Sequence, residues 1–155
     1  MARQATNTGL GKRILLATAI AGTLDIGLAI GETARLGKPI GNMLRGLASG
    51  PFPGAIDWGA SGAVAGLFVH YAIMAVMAAV FFIARSRITW MRVHTIPAAL
   101  LYGVGLWLVM CGVVLPLRFG SPFPNHELAA VARQLFAHVI LVGLTFGLVA
   151  KRDPA

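Results

Sequence analysis

Four apolar runs decide most of what this chain can become. They are Ile14 to Ala34, Gly62 to Ala84, Ile96 to Leu117 and Leu128 to Ala150. Each exceeds the roughly 20 residues that a helix needs to cross a hydrocarbon core about 30 Å thick. In hydrocarbon, backbone N–H and C=O groups must find partners within the protein, so only helices and closed barrels span. A barrel strand needs about 10 residues of alternating polarity, which none of these runs offers. The expected fold is an all-α integral membrane protein. It has one domain over residues 1–155, with four transmembrane helices paired as two helical hairpins. Composition agrees: 57% of residues are hydrophobic and 12% charged, against about 25% charged in an ordinary soluble domain.

The net charge of +8 would point to nucleic acid in a soluble protein, but here the basic residues cluster at the ends of the runs. Membrane topology explains that placement, and no aromatic-and-basic pattern supports nucleic-acid binding. One side of the membrane collects Arg3, Lys12, Arg13, Arg85, Arg87, Arg92, Lys151 and Arg152. The other has Arg35, Lys38, Arg45 and Arg118, with Arg133 just inside the fourth run and able to snorkel outward. Both termini are therefore expected in the cytoplasm. "KRILLATAIAG" also has the form of a signal peptide with a cleavage site at Ala19-Ile20-Ala21, but the apolar run continues to Ile30, which favours an uncleaved helix. A single cysteine, Cys111, excludes an intrachain disulfide and reads as a packing residue.

The longest connection runs from Arg35 to Ser61. Its middle, "PIGNMLRGLA", fits a short interfacial helix with Ile40, Met43, Leu44 and Leu47 on one side. Trp90 is placed like an interfacial anchor, and Asp57-Trp58 marks the approach to the second spanning helix. Two outer loops contain Pro-Phe-Pro, at 51–53 and 122–124, and each precedes a helix bearing Leu-Phe-x-His. That wording fits a parallel internal repeat about an axis along the membrane normal.

Ionisable residues inside a bilayer are costly and face the protein interior. At about 1.5 Å per residue, His70 lies about 12 Å into its run, His138 about 15 Å and Asp25 about 17 Å. All three therefore reach the middle of the membrane. Thr18, Gly22, Asp25, Ala29 and Glu32 recur at spacings of three and four, one face of the first helix. Gln134 precedes His138 by one turn. The polar intramembrane cluster is thus Asp25, His70, His138, Gln134 and Glu32. Gly27/Gly31, Gly62/Gly66 and Gly143/Gly147 are GxxxG pairs that permit close helix approach.

Several readings of the cluster stay open. The polar groups can fix helix register by hydrogen bonding. They can form a proton relay in which carboxylate and imidazole tune each other's proton affinity. His70 and His138, at equal depth on different helices, can also serve as the two axial ligands of a b-type haem. A two-His, one-Asp metal site is a weaker fit to this ligand set. His94 and His126 lie in loops near helix starts, where the Asn125-His126-Glu127 stretch suits N-capping. No Ser-His-Asp order, Walker loop, Rossmann pattern or HExxH motif argues for an enzyme.

"VHYAIMAVMAAVFFIAR", "LPLRFGSPFP" and "RQLFAHVILVGLTFGLVAKRD" resemble the YagU-like family of small bacterial inner-membrane proteins. The resemblance covers a little over half the chain. It implies a bacterial inner-membrane location and a loose connection to the envelope or acid stress, and no catalytic residues. The expected function is non-enzymatic, concerned with proton or small-molecule passage and needing no cofactor. The alternative is a haem b electron-transfer subunit. The bilayer is the expected partner, and self-association or a second membrane protein stays open.

The Lys/Arg asymmetry makes a direct prediction. A reporter fused after Ala155 should be active only if it is of the type that works in the cytoplasm. Activity of a periplasmic reporter there, or a mature chain beginning at Gly22, would reverse the topology.

Overall fold

The computed structural model describes residues 2–123 and 125–152, with side chains from residue 9 onward. Among the described residues all regular structure is helical. Helix α1 covers Ala2–Arg35, α2 Ile40–Ser49, α3 Gly59–Arg87 and α4 Thr89–Val93. Helix α5 covers Thr95–Phe119 and α6 Leu128–Lys151. Helices α1, α3, α5 and α6 are long and apolar enough to cross a membrane. The chain is a four-helix, multi-pass membrane protein. Each spanning helix includes its expected run, and α1 and α3 extend past theirs at both ends. Hydropathy marks the part that lipid covers, whereas the hydrogen-bond ladder continues into water until a breaker stops it. For α1 the breaker is Gly37, which has φ +65°.

The expected hairpins are present: α1 packs on α3, and α5 on α6. Helix α1 also lies along α6, which joins the hairpins. Helices α3 and α5 meet chiefly toward the end of the bundle where α1 starts and α6 finishes, the inner end on the orientation expected from the Lys/Arg bias. There the Tyr102 hydroxyl donates to the Met77 carbonyl at 2.9 Å. Phe81, Phe82, Tyr102 and Phe146 form an aromatic cluster in which the Phe81 ring lies 5.4 to 5.8 Å from the other three. Aromatic packing dominates this half of the bundle.

The outer half is built differently. The buried stripe of α3 is Gly62, Gly66, His70, Met74, Ala78 and Phe82, one residue per turn. Its outer end is empty of side chains, and α2 fills the space. A Cβ on Gly66 would run into the Leu44 carbonyl, and one on Gly62 into the Ala55 carbonyl. The interfacial helix is thus present where the pattern places it, but it buries Leu44 and Ala48 against α3, while Ile40 stays exposed. Arg118, at the outer end of α5, donates to the Ser49 and Gly50 carbonyls at 2.6 and 2.7 Å. A guanidinium there satisfies carbonyls that the helix end leaves unpaired and complements its dipole.

The three GxxxG pairs have three different fates. Gly62/Gly66 receives α2. Gly143/Gly147 receives α5, where the Ala99 carbonyl and side chain stand in the way of any Cβ. Gly27/Gly31 faces open space, so no close approach occurs there. The repeat wording is not matched in the outer connections: among the described residues the second holds no counterpart of α2, and Pro124 lies outside them. Two π-helical stretches interrupt the spanning helices, Met110–Val114 in α5 and Phe136–Leu144 in α6. The second contains His138. Wide turns of this kind are rare and concentrate at functional sites.

This packing predicts unequal costs for similar substitutions. Gly66→Val must displace a backbone carbonyl and should destabilise by at least about 2 kcal/mol. Gly27→Ala should be neutral or stabilising by up to about 1 kcal/mol. Detergent unfolding titrations of the two variants check this, and equal stability would contradict the seating of α2.

Candidate functional site

The site begins with a spare backbone lone pair. Each helical carbonyl oxygen can accept a second hydrogen bond. The Gly22 carbonyl of α1 does so, taking the Nε2–H of His70 at 2.9 Å. Gly22 permits this approach because it has no side chain; a Cβ there would strike the Tyr71 ring. One residue along each helix, Thr23 Oγ1 and Tyr71 Oη share a hydrogen bond of 2.9 Å. Two adjacent polar contacts therefore lock α1 to α3 in one register.

That bond also fixes the imidazole tautomer. With the proton on Nε2, Nδ1 presents a bare lone pair, an assignment that follows from the hydrogen-bond network. The Nδ1 atom faces Asp25 Oδ2 at 4.0 Å. This is too long for a direct hydrogen bond. It is an ion pair when the ring is protonated, and a gap that one water or a small rotation closes when it is not. His70 is buried, and Asp25 is partly open to a cavity. Among the described residues, no hydrogen bond ties down the Asp25 carboxylate.

The cavity, about 210 Å³, lies between α1 and α6. Its polar lining is Asp25, Glu32, Arg133, Gln134 and His138, and Leu28, Ala29 and Ala137 complete it. His138 Nδ1–H donates to the Gln134 carbonyl one turn back at 2.8 Å, leaving Nε2 for other partners. Asp25 is within electrostatic reach of both His70 and His138. His70 faces the carboxylate at 4.0 Å, and His138 shares the cavity with it from another helix. At the outer end Glu32 holds Arg35 in a bidentate pair at 2.7 and 2.8 Å and Arg133 at 3.4 Å. A row of ionisable groups runs from the outer end of the bundle to its middle.

All five residues expected in the cluster, Asp25, Glu32, His70, Gln134 and His138, are accounted for here. Four line the cavity, and His70 stands behind Asp25. Arg133, near the start of α6, reaches Glu32 and keeps part of its side chain exposed. Gln134 also lines a second cavity of about 140 Å³ with Trp107, Cys111 and Asn125. Asp25, His70 and His138 do not stand close enough together to hold a metal ion between them. The loop histidines lie elsewhere. His94 stacks on Trp90 at 5.4 Å. In the other loop, the Asn125 side chain accepts the Glu127 N–H at 2.9 Å, so Asn125 supplies the turn contact beside His126.

No protein-family model matches the chain, and neither does any curated protein or any solved structure.

The geometry predicts proximity that chemistry can test. In a Cys111→Ala background, the pair Asp25→Cys and His70→Cys should crosslink with a short thiol reagent. Gly27→Cys with His70→Cys should not, because Gly27 faces open space. Crosslinking of the second pair alone would place α1 in another rotation.

Proposed function

We propose that this chain is a bacterial inner-membrane protein, with both termini in the cytoplasm, that passes protons across the membrane, with the α1–α6 cavity as the path between the outer face and the membrane middle. The carrying observation is the division of labour around His70. Its Nε2 serves the architecture through Gly22, while Nδ1 and the Asp25 carboxylate face each other with no other bond. A purely structural carboxylate would be hydrogen-bonded, since a central Asp costs about 2.5 to 3.5 kcal/mol to insert. A carboxylate that shares a cavity with other ionisable side chains and faces a basic nitrogen is equipped to take and pass a proton. Asp25 receives the proton from the cavity, and His70 Nδ1 accepts it, forming an imidazolium that the carboxylate stabilises.

Size supports protons or small ions over larger cargo, because the cavity lies below the roughly 300 to 1,000 Å³ of drug-sized ligand sites. The Lys/Arg bias supports the orientation. The resemblance to the YagU-like family supports the bacterial inner membrane and agrees with a role under acid stress. A haem reading would require His70 to give up its bond to Gly22. An absorption spectrum of the purified protein addresses that reading: a Soret band with sharp reduced α and β bands would favour it.

The test uses liposomes holding a pH-sensitive dye and an imposed potassium diffusion potential. Wild-type protein should acidify or alkalise the lumen according to the sign of the potential. Asp25→Asn should insert and fold normally yet slow the flux by about ten-fold or more, with Asp25→Glu retaining part of it. Equal flux in wild type and Asp25→Asn, or wild-type flux no greater than that of empty vesicles, would overturn the proposal.

A further inference from the structure

The inner end of the bundle carries a second polar centre that the cavity does not reach. Arg85 occupies the last turns of α3 and is only 7% exposed. Its Nε donates to Thr95 Oγ1 at 3.2 Å, and that hydroxyl donates in turn to the Arg92 carbonyl at 2.9 Å. Thr95 opens α5, so the guanidinium is fixed beside the positive end of a 25-residue helix. Among the described residues no carboxylate pairs with Arg85. The charges that act on it are those of Arg13 from α1 and Arg92 from α4. Burying a cation costs several kcal/mol unless an anion or a set of hydrogen bonds compensates, and here like charges add to that cost. Of the five acidic residues in the sequence, Asp25, Glu32, Asp57 and Glu127 lie at the middle or outer end, and Asp153 is outside the described residues.

The neighbourhood also names its solvent. Helix α4 and the residue before it expose Ile88, Trp90 and Val93, with Val93 71% open. Apolar and indole side chains beside guanidiniums are the lining of a membrane interface. Basic pockets between spanning helices on this side of a membrane suit phosphate-bearing headgroups. We propose that Arg85, with Arg92, binds the phosphodiester of an anionic phospholipid in the leaflet on the side of the two termini. The phosphate oxygens accept from the guanidiniums and face the first turn of α5, while the acyl chains lie along Ile88 and Val93.

The test is thermal unfolding of the full chain in a neutral detergent, with added phosphatidylglycerol, phosphatidylcholine or inorganic phosphate. Phosphatidylglycerol should raise the midpoint by about 4 °C or more, and phosphatidylcholine and inorganic phosphate should not. Arg85→Gln and the surface variant Arg92→Gln should each lose most of the shift, and Arg85→Lys should keep part. Lys38→Gln, at the outer end, should keep it whole. If Arg85→Gln does not fold, Arg92→Gln decides, with bound lipid counted by native mass spectrometry. An equal shift with phosphatidylcholine, or a phosphatidylglycerol shift untouched in Arg92→Gln, would overturn the proposal. A shift with inorganic phosphate alone would make this a free-anion site and overturn its assignment to lipid.

Discussion

The hydrogen bond from His70 to the Gly22 carbonyl sets the terms for the rest of the polar interior. It is made without breaking the backbone ladder of α1, because the carbonyl has a second lone pair. It holds α3 at one height and one rotation against α1, which places Asp25 under the other ring nitrogen. It also requires glycine at 22, since any side chain would displace Tyr71 and with it the Thr23 contact. In hydrocarbon a histidine cannot use water to repair a lost partner, so register and tautomer are specified together. The same ring that aligns two helices is thereby left with one nitrogen for chemistry.

Close backbone approach supplies the remaining order. Helix association in lipid gains nothing from the hydrophobic effect and depends on packing and polar contacts. Gly62 and Gly66 bring α2 onto α3, and Arg118 holds the far end of α2 from α5. Gly103 and Gly143 bring α5 against α6 at the π-helical stretch, with Gly103 facing the backbone of His138 and Val139. The wide turns therefore lie where α6 is pressed from one side by α5 and lined on the other by the cavity. Packing and site geometry at His138 have a common origin.

The helices were legible in the sequence because they depend only on local hydropathy. The face of α1 carrying Asp25 and Glu32 was legible for the same reason, since a periodicity of three and four is local. What a face meets is not local. Ile40, Met43, Leu44 and Leu47 mark an amphipathic helix, yet nothing in their spacing says that Leu44 lies on Gly66. The GxxxG pattern is equally silent: three pairs share it, and only the fold decides which receives a helix and which faces open space. Arg133 meets Glu32 because the carboxylate stands one helix away, a tertiary fact. The repeated Leu-Phe-x-His wording gives two histidines of equal depth but unlike partners, Gly22 of another helix for His70 and Gln134 of its own helix for His138.

The two halves of the bundle impose opposite conditions on a charge. From the outer end to Asp25 it travels beside paired acids and bases, where each step exchanges one polar neighbour for another. Beyond His70 the buried stripe continues as Met74, Ala78 and Phe82, flanked by Phe81, Phe146 and Tyr102. No ionisable group of this stripe lies between His70 and Arg85, which is about 22 Å further along α3 at 1.5 Å per residue. An aromatic layer therefore separates His70 from the cationic end of α3. The Coulomb cost of approaching Arg85 falls if an anion neutralises it, and it is largest where the dielectric constant is low. On the proposed reading, passage of a proton across the whole membrane requires α3 and α5 to part at the Tyr102–Met77 hydrogen bond.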